Sequence, residues 1–132
     1  QCKTLLYTNE DLENLYIEAI TYFENLHFNL SNFISHFTDE LIRHYFEHDK
    51  YEKALILVQK QEKKFEPGTI RWFRNSLSYA NILIKLNSPK AREICYNVMT
   101  NSKFQELPDD QKEIWKMAEN AAIEIFSNKD QP

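Results

Sequence analysis

Glycine is nearly missing from this chain: Gly68 is the only one in 132 residues, and there are four prolines. A β-rich fold of this size needs many tight turns, which draw on Gly, Asn or Asp at positive φ. Long helices joined by short loops need few, so the scarcity points to an all-α fold. It also rules out a Gly-rich phosphate loop. Cys2 and Cys95 are the only cysteines, one at the chain's end and one on an apolar helical stripe. Two thiols so placed make no disulfide framework, which fits a reducing cytoplasm. No apolar run approaches the ~20 residues of a bilayer span, so no membrane association is expected. Bases are outnumbered by acids, 16 to 20, for a net charge of −4. That balance argues against duplex binding by this segment, because such binding draws on a basic face.

What is present is apolar and aromatic surface, 42% and 14% of residues. This suffices for the core of one domain and excludes a disordered tail. The expectation is a single helical-repeat domain over residues 1–132. Starting at Gln1 without a methionine, it reads as a piece of a longer protein.

Apolar positions recur at helical spacing almost throughout. A first helix fits about residues 9–28, with Leu12, Leu15, Tyr16, Ala19, Phe23 and Leu26 on one face and Asn9 as N-cap. A second fits about 31–48, capped by Ser31, with Phe33, Ile34, Phe37, Leu41, Tyr45 and Phe46 inward. A third, about 50–65, carries Tyr51, Ala54, Leu55, Val58 and Phe65, and Pro67-Gly68 breaks the pattern. A fourth covers about 69–86, with Ile70, Phe73, Leu77, Ala80 and Ile84 on one face. A fifth covers about 89–102, with Ala91, Ile94, Cys95, Val98 and Met99 inward. A sixth opens at Pro108, a good first-turn residue, and runs to about 127.

Two hairpins are related. Tyr45, the turn Asp49-Lys50, the run Tyr51-Glu52-Lys53-Ala54-Leu55 and Pro67 have the cadence of a tetratricopeptide repeat. Ala80, Leu83, the turn Asn87-Ser88-Pro89 and Ala91 repeat it. Ala54 and Ala91 are 37 residues apart, near the repeat period of about 34 once a longer loop is allowed. A small side chain at each lets two helices approach to ~8 Å. The expected architecture is a short right-handed stack of antiparallel helical hairpins with about six helices.

Catalytic patterns are scarce. His44-Tyr45-Phe46-Glu47-His48 fits the H-x-x-E-H string of inverted zinc proteases, which would need a third ligand and an open cleft. The competing reading is two surface histidines at a helix C-terminus, where an imidazolium suits the dipole. Cys95, in apolar surroundings, reads as an inert thiol. Asn29-Leu30-Ser31 is a glycosylation sequon, better read as a helix start. The chain is expected to be a binding scaffold with no enzymatic activity, metal or cofactor.

Polar stripes carry more. On the fourth helix Arg71, Arg74, Ser78, Asn81 and Lys85 follow one another at steps of three or four, with Asn75 alongside. On the second, Asn32, His36, Asp39, Arg43 and Glu47 do the same. In a tetratricopeptide stack both stripes would face the concave groove. There an Asn can donate to and accept from a peptide backbone, and an Arg or Lys can take a carboxylate. The expected peptide-binding residues are Arg74, Asn81, Arg71, Ser78, Lys85, Arg43 and Asn32. The sixth helix has more apolar surface than one neighbour covers, with Ile114, Ala118, Ala121 and Ile125 on one stripe and Trp115, Ala122 and Phe126 beside it. The latter three are expected at a homodimer interface around a two-fold axis, the alternative being a helix wedged between two neighbours of its own chain.

Over roughly residues 30–127 the repeat cadence, few glycines, abundant Lys and Asn, and the run Tyr51-Glu52-Lys53-Ala54-Leu55 give a resemblance. The chain resembles the C-terminal domain of the peptide-pheromone-responsive transcriptional regulators of Gram-positive bacteria, the Rgg, PlcR and Rap-like group. The resemblance implies a groove for a short peptide, with Arg74, Asn81 and Arg43 carried over as groove residues. It also implies dimerisation through the helical domain and DNA contact only through a helix-turn-helix domain outside this chain. The alternative is a constitutive protein–protein adaptor of the tetratricopeptide type with no effector peptide.

Overall fold

Helix α1 (Asn9–Glu24) begins at a capping box. The Thr8 hydroxyl accepts from the Asp11 amide (3.0 Å) and the Asp11 carboxylate accepts from the Thr8 amide (3.2 Å). Thr8 therefore caps the helix in place of Asn9. An acid three residues on completes both halves of the box at Thr8, whereas Asn9 has Leu12 at that position. In this computed structural model residues 8–25 and 31–129 are described, the side chains of Ser31, Asn32, Asn128 and Lys129 excepted. Cys2, Leu26, Asn29 and Leu30, and the expected cap of Ser31, lie outside them.

The later helices are α2 (Ser31–Glu47), α3 (Tyr51–Glu62), α4 (Ile70–Lys85), α5 (Lys90–Met99) and α6 (Lys112–Lys129), the last preceded by a 3₁₀ turn over Asp109–Gln111. The protein is all-α with six helices, and no strand occurs among the described residues. No described helix is long and apolar enough to cross a membrane. The chain divides into two compact units, Gln1–Ala54 and Leu55–Pro132, the boundary falling inside α3.

In the first unit α1 lies antiparallel to α2. Phe23 near the end of α1 stacks on Phe33 and Phe37 near the start of α2, at 5.4 and 5.7 Å between centroids. Toward the other end, the His44 ring reaches the Asn9 carbonyl. Glu13 ties the pair. It accepts from the Tyr45 hydroxyl (2.7 Å) and pairs with Lys53 (3.4 Å) and Lys50 (3.9 Å). The Tyr45 hydrogen bond first, and then the two lysines, hold its carboxyl below the usual carboxylate range. No residue of α1 is fully buried, and Leu15 and Phe33, expected inward, are exposed.

The second unit is organised around α4, which packs against α5 and α6 and buries residues on most of its circumference. Phe73 and Leu77 meet Val98, Phe104, Leu107, Ile114 and Ala118 in its core. Thr69 caps α4 after the Pro67-Gly68 turn, where Gly68 takes φ +94°. Ile70 and Met99, expected inward, are exposed.

The turns after α2 and α4 are built alike. Asp49 (φ 61°) and Asn87 (φ 59°) are the only non-glycine residues at positive φ among those described. In each turn the next amide reaches back five residues, Lys50 to the Tyr45 carbonyl (2.8 Å) and Ser88 to that of Leu83 (2.9 Å). The left-handed residue's amide reaches back three, to Phe46 and Ile84. This is the Schellman ending, with Asp and Asn in the position usually held by glycine. Ala54 and Ala91 are both buried. Ala54 bonds back four residues to Lys50, but Ala91 bonds back only three, to Ser88. That tighter start makes the alanine spacing one residue shorter than the spacing of the turn residues.

Candidate functional site

His44, expected at the surface, is buried, and its Nε2 donates to the Asn9 carbonyl at 3.1 Å. The first turn of α1 covers it, a neighbour that the sequence of α2 alone does not reveal. His48 Nδ1 donates to the His44 carbonyl at 2.8 Å, and the two rings stand 4.5 Å apart. Each imidazole thus spends one nitrogen on a backbone carbonyl, while Glu47 is exposed. No group of three or more His, Cys, Asp or Glu among the described residues is placed to hold a metal ion. Burial pushes the Cys95 thiol up, and its sulfur lies 3.7 Å from that of Met99.

The α4 stripe is present, but its two arginines are engaged. Arg74 donates to Gln111 (2.9 Å) and pairs with Glu113, clamping the outside of α4 to the start of α6. The Arg71 guanidinium sits 6.0 Å from the centre of the Phe65 ring. Ser78 and Asn81 are half-buried, and Lys85 is exposed. On α2, Arg43 pairs with Glu40, and the side chain of Asn32 lies outside the described set. Beside the stripe, polar residues turn inward. Asn75 is only 5% exposed; its Nδ2 donates to the Val58 carbonyl (3.1 Å) and to Glu62 (2.8 Å), and its Oδ1 accepts from Gln61 (3.1 Å). Ser76 donates to the other Glu62 oxygen (2.7 Å). This network joins the end of α3 to α4.

The more open feature is a groove along α6. It has a volume of about 810 Å³, and Ala118 and Ala122 are among its lining. Phe104, Trp115 and Met99 line it too, with Ile123 and Phe126 further along the helix. Ile123 is 56% and Phe126 63% exposed, so large apolar side chains stand in water around a concave surface. Trp115 is half-buried, and its Nε1 donates to the Phe104 carbonyl at 3.0 Å. That bond fixes the indole against the segment between α5 and α6 and satisfies its one polar atom. Lys112, Lys116, Glu119 and Gln105 complete the lining.

All three residues expected at a dimer contact, Trp115, Ala122 and Phe126, are thus brought to one groove. Met99, Phe104 and the two lysines were not anticipated there. Phe104 lies outside any helix, where periodicity gives no direction, and Met99 sits on the edge of its helix face. Lys112 and Lys116 share the i, i+4 spacing and could have been placed beside Trp115 from sequence. Comparison of the chain with known protein families, curated proteins and solved structures finds no match.

Proposed function

We propose that this chain is a helical binding module, with no reaction of its own, that holds an amphipathic polypeptide segment in the groove along α6. The observation that carries this reading is the groove's make-up: exposed Ile123 and Phe126 with Trp115, and two small alanines, Ala118 and Ala122, in the same lining. Its volume lies within the range of about 300–1,000 Å³ typical of ligand pockets. Open and elongated, it suits a peptide or helix more than a small molecule. The ligand class is the short peptide or protein segment expected from the sequence, with α6 in place of the α4 stripe as the principal contact. In a peptide-responsive regulator of the kind the sequence resembles, this groove would be the sensing element.

The test is selection of peptides from a displayed random library on the folded chain. The expected binders carry apolar anchors at i, i+3 or i+4, and i+7, change Trp115 emission, and fail to bind Phe126→Asp. Binders that hold the variant as tightly as the parent would overturn the reading.

A further inference from the structure

Among the described residues two helix faces are left without a covering neighbour, and they carry opposite charge. On α1, Asp11, Leu15, Glu18 and Tyr22 follow one another at steps of four, three and four, with Asn14 alongside, and all five are exposed. Leu15 is 45% and Tyr22 62% exposed. From Asn9 to Glu24 the helix has five carboxylates and no Lys, Arg or His. Of these, Glu13 is spent on Tyr45 and the two lysines, and Asp11 on the cap. Glu10, Glu18 and Glu24 are exposed and make no ion pair among the described residues. Glu18 is the one that stands between Leu15 and Tyr22 on their own face. On the groove, Lys112 and Lys116 are exposed and likewise make no ion pair, and Glu119 is the one acid in the lining. The lining is therefore net positive in a chain whose net charge is −4.

Dimensions agree as well. Leu15 and Tyr22 are seven residues apart, about 10.5 Å along a helix. Trp115 and Phe126 stand about 16 Å apart along α6 by the same rise, with Ala118 and Ala122 between them. The interval from Trp115 to Phe126 is thus longer than the one between the two anchors.

We propose that the groove's occupant is the outer face of α1 from a second copy of this chain. Leu15 and Tyr22 enter between Trp115 and Phe126. Glu18, between the two anchors, meets Lys116 at the edge of the groove, and Lys112 one turn away adds to the field that draws the acidic helix in. The inference rests on the groove reading above and names its partner. Each copy has one donor face and one acceptor groove, so the contact closes on itself when two copies exchange α1 faces and otherwise propagates from copy to copy.

Sedimentation velocity over a concentration series tests it, on the full chain at low and high salt. Self-association is expected to weaken at least tenfold in either Lys116→Glu or Glu18→Lys, both made at exposed positions, and to weaken as salt is raised. Glu18→Lys brings the acidic chain nearer to neutrality, so a non-specific charge effect would strengthen association where the proposed contact weakens it. Mixing the two variants should restore a heteromeric complex, because each supplies the charge the other has lost. A wild-type chain monomeric to millimolar concentration overturns the proposal. So does an oligomer lost in Phe126→Asp but indifferent to Glu18→Lys. If library peptides still fill the groove in either case, the groove reading stands and only the self-association falls. If none binds there, both fall.

Discussion

Replacing Asn75 with alanine is the sharpest probe of how the second unit is held. The side chain makes three hydrogen bonds while almost wholly buried: two donated by its amide, to the Val58 carbonyl and the Glu62 carboxylate, and one accepted from Gln61. A neutral bond contributes about 1 kcal/mol net and one to a charged group about 1.5–3, so the gross loss is roughly 3–5 kcal/mol. Glu62 is only half-buried and keeps its bond from Ser76, so water can take up part of what Asn75 leaves. The expected cost is about 2–3 kcal/mol. Urea unfolding should show a lower midpoint at unchanged slope. A cycle with Glu62→Ala should give a coupling of about 1–2 kcal/mol. Asn75→Asp adds a second test. It sets two carboxylates together, so it should destabilise more at neutral pH than at about pH 5, where a shared proton can bridge them. An Asn75→Ala cost below about 0.5 kcal/mol, the range of an ordinary surface change, would refute the argument that this network joins α3 to α4.

Thr8→Ala removes one half of the capping box and should cost about 0.5–2 kcal/mol, read as faster amide exchange in α1 with α4 little affected. Glu13, whose folded pKa is depressed, contributes stability that is fully present above its unfolded value near 4.5 and is lost as pH falls through the lower folded value. Glu13→Gln should therefore lower stability at neutral pH and flatten its fall below about pH 5, measured by urea unfolding across that range.

The fold was legible because its turns are local chemistry. The Schellman ending needs one residue that tolerates positive φ, and Asp49 and Asn87 are the residue types that do so when glycine is absent. Both stand where the apolar period breaks, so the hairpin joints could be placed from sequence to within a residue or two. Helix faces were legible where burial is broad, as on α4, and failed at edges. Phe33 and Met99 keep the helical period yet remain exposed, because periodicity says which side faces a neighbour and not how far that neighbour extends.

The candidate site was half legible, for a reason that lies in polarity itself. A stripe of Arg, Ser, Asn and Lys on α4 reads as a waiting surface, but charge is as often consumed within the chain. Arg74 is held by Gln111 and Glu113, about forty positions along the sequence, and no local pattern reports a pairing at that range. Apolar excess obeys a stricter rule. A helix has a limited circumference to bury, so α6, with Trp115, Ala122, Ile123 and Phe126 beyond its core stripe of Ile114, Ala118 and Ala121, had to leave some of them outside. In an amphipathic helix of this kind, surplus apolar residues are therefore a better guide to an exposed surface than an equal number of polar ones. The same count applied to α1, which buries nothing fully and exposes Leu15 and Tyr22 on either side of Glu18, an acid with no ion pair among the described residues, finds a second exposed apolar face.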